Sequence, residues 1–174
     1  MKVAIVGAGK LGMKVAEALL GGDHAVTVID PDETLLQKVS SHIDIMTVTA
    51  NAKEVKALKR IGISSYDFLI TATENDETNL VIASFAKKLG CKKVIARVRD
   101  PEHMQQIPFI KDLMGVDYII NPDLEITNEI YKYLVEKYTL SNGIFSTGKI
   151  SLCEFYAYKY PQVVNKAISE FSTV

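Results

Sequence analysis

The 174 residues suit one domain with an appendage, and a hydrophobic content of 48% is enough for a substantial core. The formal net charge is −1, with both signs mixed along the chain, which argues against the basic face that a nucleic-acid or anionic-membrane surface needs. No apolar run approaches the length of a membrane span, and Met1 leads directly into a strand-like run, so we expect neither membrane insertion nor a signal peptide. Cys91 and Cys153 are far apart, which favours a reducing cytoplasm over a disulfide framework.

The chain opens on a strand, a glycine-rich turn and a helix. Residues 2–6 (KVAIV) form an apolar strand-like run, and residues 7–12 (GAGKLG) lead into a helical pattern. In a dinucleotide-binding turn, Gly7 makes the bend, Gly9 lets the backbone approach a pyrophosphate, and Gly12 lets the helix pack against the sheet. The free N–H groups of the helix N-terminus then face the phosphates. Lys10 either brings a cation to a phosphate or is only solvated, and the alternative for the whole turn is a glycine-rich connection without a ligand.

Asp30 ends the second apolar run, residues 25–29 (AVTVI). It lies close to the position at which a dinucleotide-binding fold places the carboxylate that accepts hydrogen bonds from the ribose. Asp32 and Glu33 follow, and the next cation is Lys38, so a 2′-phosphate would meet like charge and NADP is disfavoured. The alternative is that Asp30 caps the helix that begins near Pro31.

Strand-like and helix-like stretches alternate along the rest of the chain. Helices are predicted at about 32–41, 52–60 and 76–89, strands at 44–49, 67–72, 93–98 and 116–120, and a helical stretch at 101–114 that Pro108 interrupts. Six mostly apolar strands separated by helices predict an α/β fold with a doubly wound parallel six-stranded Rossmann sheet.

A further helix opens at Asn121-Pro122 and extends to about Tyr138. Its apolar residues cover more than one narrow stripe, which predicts a second contact surface on another subunit; the alternative is a terminal helix lying on its own sheet. Residues 139–174 are expected to form a linker and a short α+β tail, too small for a core of its own, which begins a second module or packs on a partner. The expected domains are therefore 1–138 and 139–174.

Polar residues follow the later strands at the edge where such sheets bind ligands. Ala50-Asn51 would admit an adenine edge, with Asn51 hydrogen-bonding to it or capping the next helix. Residues 72–77 (ATENDE) are unusually polar for a connection between a strand and a helix. Glu74, Asp76 and Glu77 could hold a cation, but acids at a helix N-terminus are already favoured by the dipole, and no metal site is predicted. Arg97 needs an anionic partner, either a phosphate or a neighbouring acid, and Arg99 adds a second cation.

The rival function is an NAD-dependent oxidoreductase, which needs a positioned acid–base group and a substrate domain. The histidines are His24, His42 and His103. Only His103 is expected near the mouth of the crevice, so no catalytic residue is predicted, and little chain remains after the sixth strand to wrap a substrate.

Several stretches together resemble the regulator-of-potassium-conductance (RCK) family, the Trk/Ktr-type cytoplasmic subunits of potassium transporters and channels. These stretches are residues 3–12, 28–30, 71–80, 94–98 and 115–122. The loop at 71–80 and the arginine-bearing strand at 94–98 are the more specific ones. The resemblance covers about residues 1–138, and the tail from Gly143 to Phe171 resembles the lead into the family's C-terminal module, most of which is missing here.

The resemblance implies a nucleotide-sensing regulatory subunit that is not an enzyme. It assigns phosphate contacts to the turn and to Arg97, the ribose to Asp30, and the adenine with its adjoining ribose to the loops after strands three and four; the residues are Gly7, Ala8, Gly9, Lys10, Leu11, Asp30, Ala50, Asn51, Ala72, Thr73 and Arg97. The ligand is NAD(H) first and ATP/ADP as the alternative, because many Trk-type members have Gly-Asp where this chain has Ala50-Asn51. Homodimers built through helix 122–138 would form a ring on a membrane potassium channel or transporter, at the cytoplasmic face of the cell membrane.

Overall fold

The computed structural model describes residues 1–100, 102–103, 106–135 and 164. The strands are β1 (Lys2–Val6), β2 (Ala25–Asp30), β3 (Met46–Thr49), β4 (Phe68–Thr71), β5 (Lys93–Arg97) and β6 (Tyr118–Ile120). The helices are α1 (Lys10–Leu19), α2 (Glu33–His42), α3 (Val55–Ile61), α4 (Asp76–Lys88), α5 (Ile107–Met114) and α6 (Pro122–Val135), with a 3-10 turn at Ile63–Ser65. The chain divides into two compact units, Met1–Asp123 and Leu124–Val174.

The six strands form one parallel sheet in the order β3-β2-β1-β4-β5-β6. The chain winds outward from β1 in one direction and then returns to continue from β4 in the other. The strand order therefore reverses between β1 and β4, and the connections that leave their carboxyl ends diverge, which opens a crevice at that edge. The predicted doubly wound Rossmann sheet is confirmed.

The central strands are buried on both faces, as their nearly continuous apolar sequences indicate. Alternate residues of β1 enter different layers: Val3 and Ile5 pack with Val28 and Leu36 on one face, whereas Ala4 and Val6 belong to the larger cluster on the other. That larger cluster contains Leu58, Ile63, Leu69, Ile82 and Val94, each at most 1% exposed. Each such side chain contributes about 1.5–3 kcal/mol by burial, so both layers hold the sheet rigid.

Carboxylates hold the strands together at the amino edge of the sheet. Asp67 accepts a hydrogen bond from the backbone N–H of Lys2 at 2.8 Å and pairs with Lys92 at 2.6 Å, and these contacts lower its pKa, the lysine bond having the largest effect. Asp117 accepts from the backbone N–H of Val94 at 2.8 Å and from Lys87 Nζ at 2.8 and 2.9 Å. Burial would raise the pKa of Asp117, but its hydrogen bonds outweigh burial and hold that pKa below its usual value.

Several predicted boundaries are wrong. The third strand begins at Met46, not at residue 44, because the backbone N–H of Ile45 turns back to the carbonyl of Ile43. Helix α3 begins at Val55 and not at about residue 52, and β6 begins at Tyr118 and not at residue 116. The helical stretch predicted at 101–114 is broken, but the break precedes Pro108: residues 102–103 are helical, Gln106 is not, and Pro108 lies in the first turn of α5, where its missing N–H costs no intrahelical bond. No helix within the described residues is long and apolar enough to span a membrane. Residues 136–138 of the expected last helix, and the tail predicted for 139–174 apart from residue 164, lie outside the described residues.

Candidate functional site

The structure places every predicted site residue at the carboxyl edge of the sheet. Gly7 to Leu11 connect β1 to α1, Asp30 ends β2, and Ala50-Asn51 follow β3. Ala72-Thr73 follow β4, and Arg97 ends β5. Because the crevice of a doubly wound sheet opens at this edge, the loops from five neighbouring strands surround one mouth.

Two of the three turn glycines are required by the fold itself. Gly7 has φ +106°, and its N–H donates to the carbonyl of Ile29 at 2.9 Å. A Cβ on Gly7 would lie 2.9 Å from the carbonyl carbon and oxygen of Ala72, and a Cβ on Gly12 would lie 1.9 Å from the carbonyl oxygen of Gly7. These glycines therefore bring the turn, α1 and the end of β4 into direct contact, as predicted for Gly7 and Gly12.

Gly9 is different, because packing does not explain it. Its φ of −72° and ψ of −175° suit any residue, and within the described residues a Cβ added there meets nothing within 4 Å. Gly9 is also the N-cap of α1 and offers no side-chain cap, so within the described part of the chain the first N–H groups of the helix have no cap bond, and they have no intrahelical acceptor. The turn thus leaves open space beside unpaired backbone donors, which is what an anion needs.

Asp30 binds the glycine turn from the neighbouring strand. Its Oδ2 accepts from the backbone N–H of Ala8 at 2.8 Å, and its Oδ1 accepts from the N–H of Asp32 at 2.9 Å. Helix α2 is capped by Asp32, whose Oδ1 accepts from Thr34 and Leu35, so the alternative in which Asp30 caps the helix is wrong. A carboxylate has about four acceptor sites, and the two bonds leave Asp30 capacity for ribose hydroxyls.

Ala50 and Asn51 form the wall of the mouth beyond β2. Ala50 is buried, and its N–H donates to the carbonyl of Asp30 at 3.0 Å. Asn51 Oδ1 accepts from the N–H of Lys53 at 3.2 Å, and its Nδ2 donates to Glu54 at 3.3 Å. Because Glu54 is the N-cap of α3, the alternative in which Asn51 caps that helix is wrong; Asn51 shapes the turn before it.

Arg97 extends from the end of β5 toward the loop after β4. Its Nη1 donates to the carbonyl of Thr73 at 2.8 Å. Among the described residues Arg97 forms no ion pair, so the alternative of a neighbouring acid is wrong, and its buried Nε has no hydrogen-bond partner there. A partly buried guanidinium without a counter-charge favours binding of an anion.

Asn79 lies within the stretch 71–80, but the sequence analysis gave it no role. Asn79 is fully buried in the first turns of α4, and its carboxamide bonds both the backbone and the hydroxyl of Thr73 as well as the carbonyl of Arg97. The sequence did contain a signal for this role, because it places an asparagine on the helix face that also carries Leu80 and Ala83. A polar side chain on a buried face must find partners, and here these are the backbone of two loops of the mouth.

An acidic pocket of about 460 Å³ lies beside the mouth. Its lining residues are Glu74, Asn75, Asp76, Glu77, Arg99, Asp100, His103 and Asp123. Asp76 is 9% exposed; its Oδ2 accepts from the N–H groups of Arg99 and Asp100, and its buried Oδ1 has no partner among the described residues. The described residues contain no group of three His, Cys, Asp or Glu side chains placed to hold a metal ion. Asp76 and Glu77 lie in the first turn of α4, where the helix dipole favours negative charge.

The remaining predicted side chains lie as follows. Lys10 is exposed at the start of α1, where it is free to move toward a bound anion. His103 lines the acidic pocket and not the glycine turn. His24 precedes β2 at the opposite edge of the sheet, and His42 lies in the last turn of α2, its Nδ1 2.7 Å from the carbonyl of Lys38.

The comparisons with known proteins agree with this geometry. The chain is 32% identical over 171 residues to a "Trk system potassium uptake protein TrkA homolog" of Archaeoglobus fulgidus, and 27% identical over 172 residues to one of Methanothermobacter thermautotrophicus. The matches cover 98% and 99% of this chain, but 38% and 77% of the relatives. The chain thus spans well under half the length of the first relative.

Solved structures share the fold. The TrkA-N domain of the inner membrane protein YbaL from Escherichia coli superposes with a TM-score of 0.67 at 20% identity, covering 76% of this chain and 96% of that one. The GsuK channel bound to NAD (TM-score 0.62, 17% identity, 79% and 24% covered) and GsuK bound to ADP (0.61, 16%, 76% and 33%) also match. The sequence profile of the TrkA-N domain matches residues 3–122, well over half of the chain. The chain belongs to the TrkA-N domain family.

Proposed function

We propose that this chain is a nucleotide-binding regulatory module of a potassium uptake system. The observation that carries the proposal is the open space at Gly9, beside the unpaired N–H groups that begin α1. In a dinucleotide-binding turn, this is the position that must admit a pyrophosphate. A glycine that packing does not require at this position is better explained by ligand binding than by a purely structural role.

We propose the following residues as contacts for each part of the ligand. The backbone from Gly7 to Leu11 would hold the phosphates, with Lys10 and Arg97 adding positive charge. Asp30 would accept from ribose hydroxyls while retaining its bond to Ala8. The small residues Ala50, Ala72 and Thr73, with Asn51, would line the adenine and its adjoining ribose.

We propose NAD(H) as the ligand and ATP or ADP as the alternative. Solved GsuK structures carry NAD in one case and ADP in another, and they share this fold. Asp30, Asp32 and Glu33 lie together at the end of β2 and in the first turn of α2, so a 2′-phosphate would be repelled. The site should therefore discriminate against NADP.

The proposed role of the nucleotide is regulatory and not chemical. The relatives are named potassium uptake proteins, and the mouth of this chain presents backbone donors, small side chains and Arg97 rather than a positioned general acid or base. A regulatory nucleotide must bind two subunit arrangements unequally, because a ligand with equal affinity for both shifts neither.

Helix α6 is the proposed route between subunits. Several of its large apolar side chains are exposed: Leu124, Ile126, Ile130, Tyr131 and Tyr133, the last at 85%. Ile126, Ile130 and Tyr133 share one helix face and line a groove with Glu125 and Glu129. We propose that this face pairs two copies, that the dimers form a ring on a membrane-embedded potassium transporter or channel, and that the assembly lies on the cytoplasmic side.

The test combines binding with assembly. The purified chain is analysed by mass spectrometry for co-purifying nucleotide, titrated calorimetrically with NAD, NADH, ATP, ADP and NADP, and sized with and without the tightest binder. We expect micromolar binding of one adenine nucleotide, weaker NADP, and a dimer. Absence of binding at millimolar nucleotide would refute the proposal, and robust NADH oxidation with a panel of carbonyl compounds would favour the oxidoreductase.

A further inference from the structure

We propose that Asn79 is a positioning residue of the nucleotide site. Its carboxamide would hold the loop after β4 and the end of β5 as one unit, so that the Arg97 guanidinium, bonded to the Thr73 carbonyl, is presented to the ligand. This inference rests on the proposed function and adds to it a residue that touches no ligand itself.

The bonds of Asn79 connect two separate loops. Its Oδ1 accepts from the backbone N–H of Thr73 at 2.9 Å and from Thr73 Oγ1 at 2.7 Å. Its Nδ2 donates to the carbonyl of Thr73 at 3.1 Å and to the carbonyl of Arg97 at 3.0 Å. One fully buried side chain thus fixes the backbone of both residues, although they are far apart in sequence.

The carbonyl of Thr73 is the shared element. It accepts from Asn79 Nδ2 and, at 2.8 Å, from Arg97 Nη1, so the guanidinium is held by a backbone group that Asn79 itself holds. Arg97 forms no ion pair among the described residues, and its Nη groups carry N–H donors beyond the one bonded to Thr73, which leaves charge and donor capacity for a phosphate oxygen. An arginine anchored in this way loses less conformational freedom on binding than one that is free in solvent.

Only a carboxamide satisfies this position. The Thr73 N–H can only donate and the Arg97 carbonyl can only accept, so the network itself fixes which end of the amide is oxygen. Aspartate has the same shape but would direct a carboxylate oxygen at two carbonyl oxygens. Because the site is fully buried, that repulsion would displace the loop after β4, the Arg97 anchor, or both.

The matched pair of variants is Asn79→Asp and Asn75→Asp. Both make the same substitution in one segment, but Asn75 is exposed and caps α4 by accepting from the Thr78 N–H at 2.7 Å, which aspartate does equally well. We expect Asn79→Asp to weaken nucleotide binding about tenfold or more, in a protein shown by circular dichroism to be folded at the assay temperature. Asn75→Asp should bind within about twofold of wild type.

A double-mutant cycle separates positioning from a general effect of added charge or lost stability. If Asn79 acts through Arg97, Asn79→Asp should weaken binding by no more than about twofold in an Arg97→Ala background. An equal loss in both backgrounds, or a loss no larger than that of Asn75→Asp, would overturn the inference. Should Asn79→Asp not fold, Asn79→Ala, which removes the carboxamide without adding a charge, enters the same cycle under the same criteria. Wild-type chain that binds no nucleotide refutes the proposed function instead, a result distinct from these.

Discussion

The substitution Gly9→Ala tests whether the turn between β1 and α1 binds a ligand or serves only the fold. The added methyl group meets no protein atom within 4 Å among the described residues, and φ of −72° needs no change. It does occupy the space through which a pyrophosphate would approach the backbone. The prediction is a protein of nearly unchanged stability that binds nucleotide poorly.

The magnitudes follow from two opposing effects on folding and one on binding. Replacing glycine at a compatible φ stabilises by about 0.4–1 kcal/mol through the unfolded state. Alanine is a poorer N-cap than glycine, and Gly9 is the N-cap of α1, so a loss of similar size, about 0.5–1 kcal/mol, offsets the gain. In the complex the methyl group overpacks the phosphate contact, which costs about 1–3 kcal/mol, or about 5- to 150-fold in affinity.

The assays are thermal unfolding without nucleotide and calorimetric titration with the nucleotide that the wild-type chain binds. Gly21→Ala is the matched control, because a Cβ there also meets nothing within 4 Å, but Gly21 lies in the turn beyond the opposite end of α1. We expect Gly9→Ala to shift the Tm by no more than about 4 °C and Gly21→Ala to bind as wild type. Wild-type affinity in Gly9→Ala would refute the assignment of this turn to the phosphates.

The remaining predictions concern stability and reactivity. Gly12→Ala should fail to fold or lose more than about 3 kcal/mol in urea denaturation, because its Cβ would lie 1.9 Å from the Gly7 carbonyl oxygen. Asp117→Asn should cost about 1.5–3 kcal/mol at pH 7. Folding lowers the pKa of Asp117, so the wild-type advantage is fully present above the unfolded pKa of about 3.9, and it should shrink in urea denaturation as the pH falls below that value toward the folded pKa. Burial raises the pKa of the Cys91 thiol, so in a Cys153→Ser background we expect a thiol reagent at pH 8 to react only as fast as the protein unfolds; rapid reaction of the native chain would contradict this.

The sheet and its crevice could be predicted from local patterns. Apolar runs that end in Gly7 and Asp30 predicted two strands and the turn, because a parallel strand buried on both faces has a nearly continuous apolar sequence. The placement of every candidate residue at one edge followed from the topology alone. Pro108 was misread because the same residue ends one helix or begins another, and only the packing of Ile110 in the core fixes where α5 begins.

Partners of individual side chains could not be predicted in this way. Asp30 and Asn51 both looked like helix caps, but the caps are Asp32 and Glu54, because two residues separate β2 from α2 and five separate β3 from α3. The bonds of Asn79 to Thr73 and Arg97 join chain segments that only the order β1-β4-β5 brings together. Hydrogen bonds between residues far apart in sequence depend on how the strands are arranged in the sheet. The local spacing of residues in the sequence carries little information about that arrangement.

The carboxylates of Asp67 and Asp117 fasten β1, β4, β5 and β6 at the end of the sheet opposite the crevice. These contacts lie at the far end of the strands from the proposed nucleotide site. A substitution at the exposed Lys10 or at Asn51 would leave the bonds of Asp67 and Asp117 intact, so we expect ligand preference to be changeable there without a compensating change at the amino edge. For protein engineering, the contacts of Asp67 and Asp117 should be kept together with Gly7 and Gly12, and the other residues of the crevice loops varied.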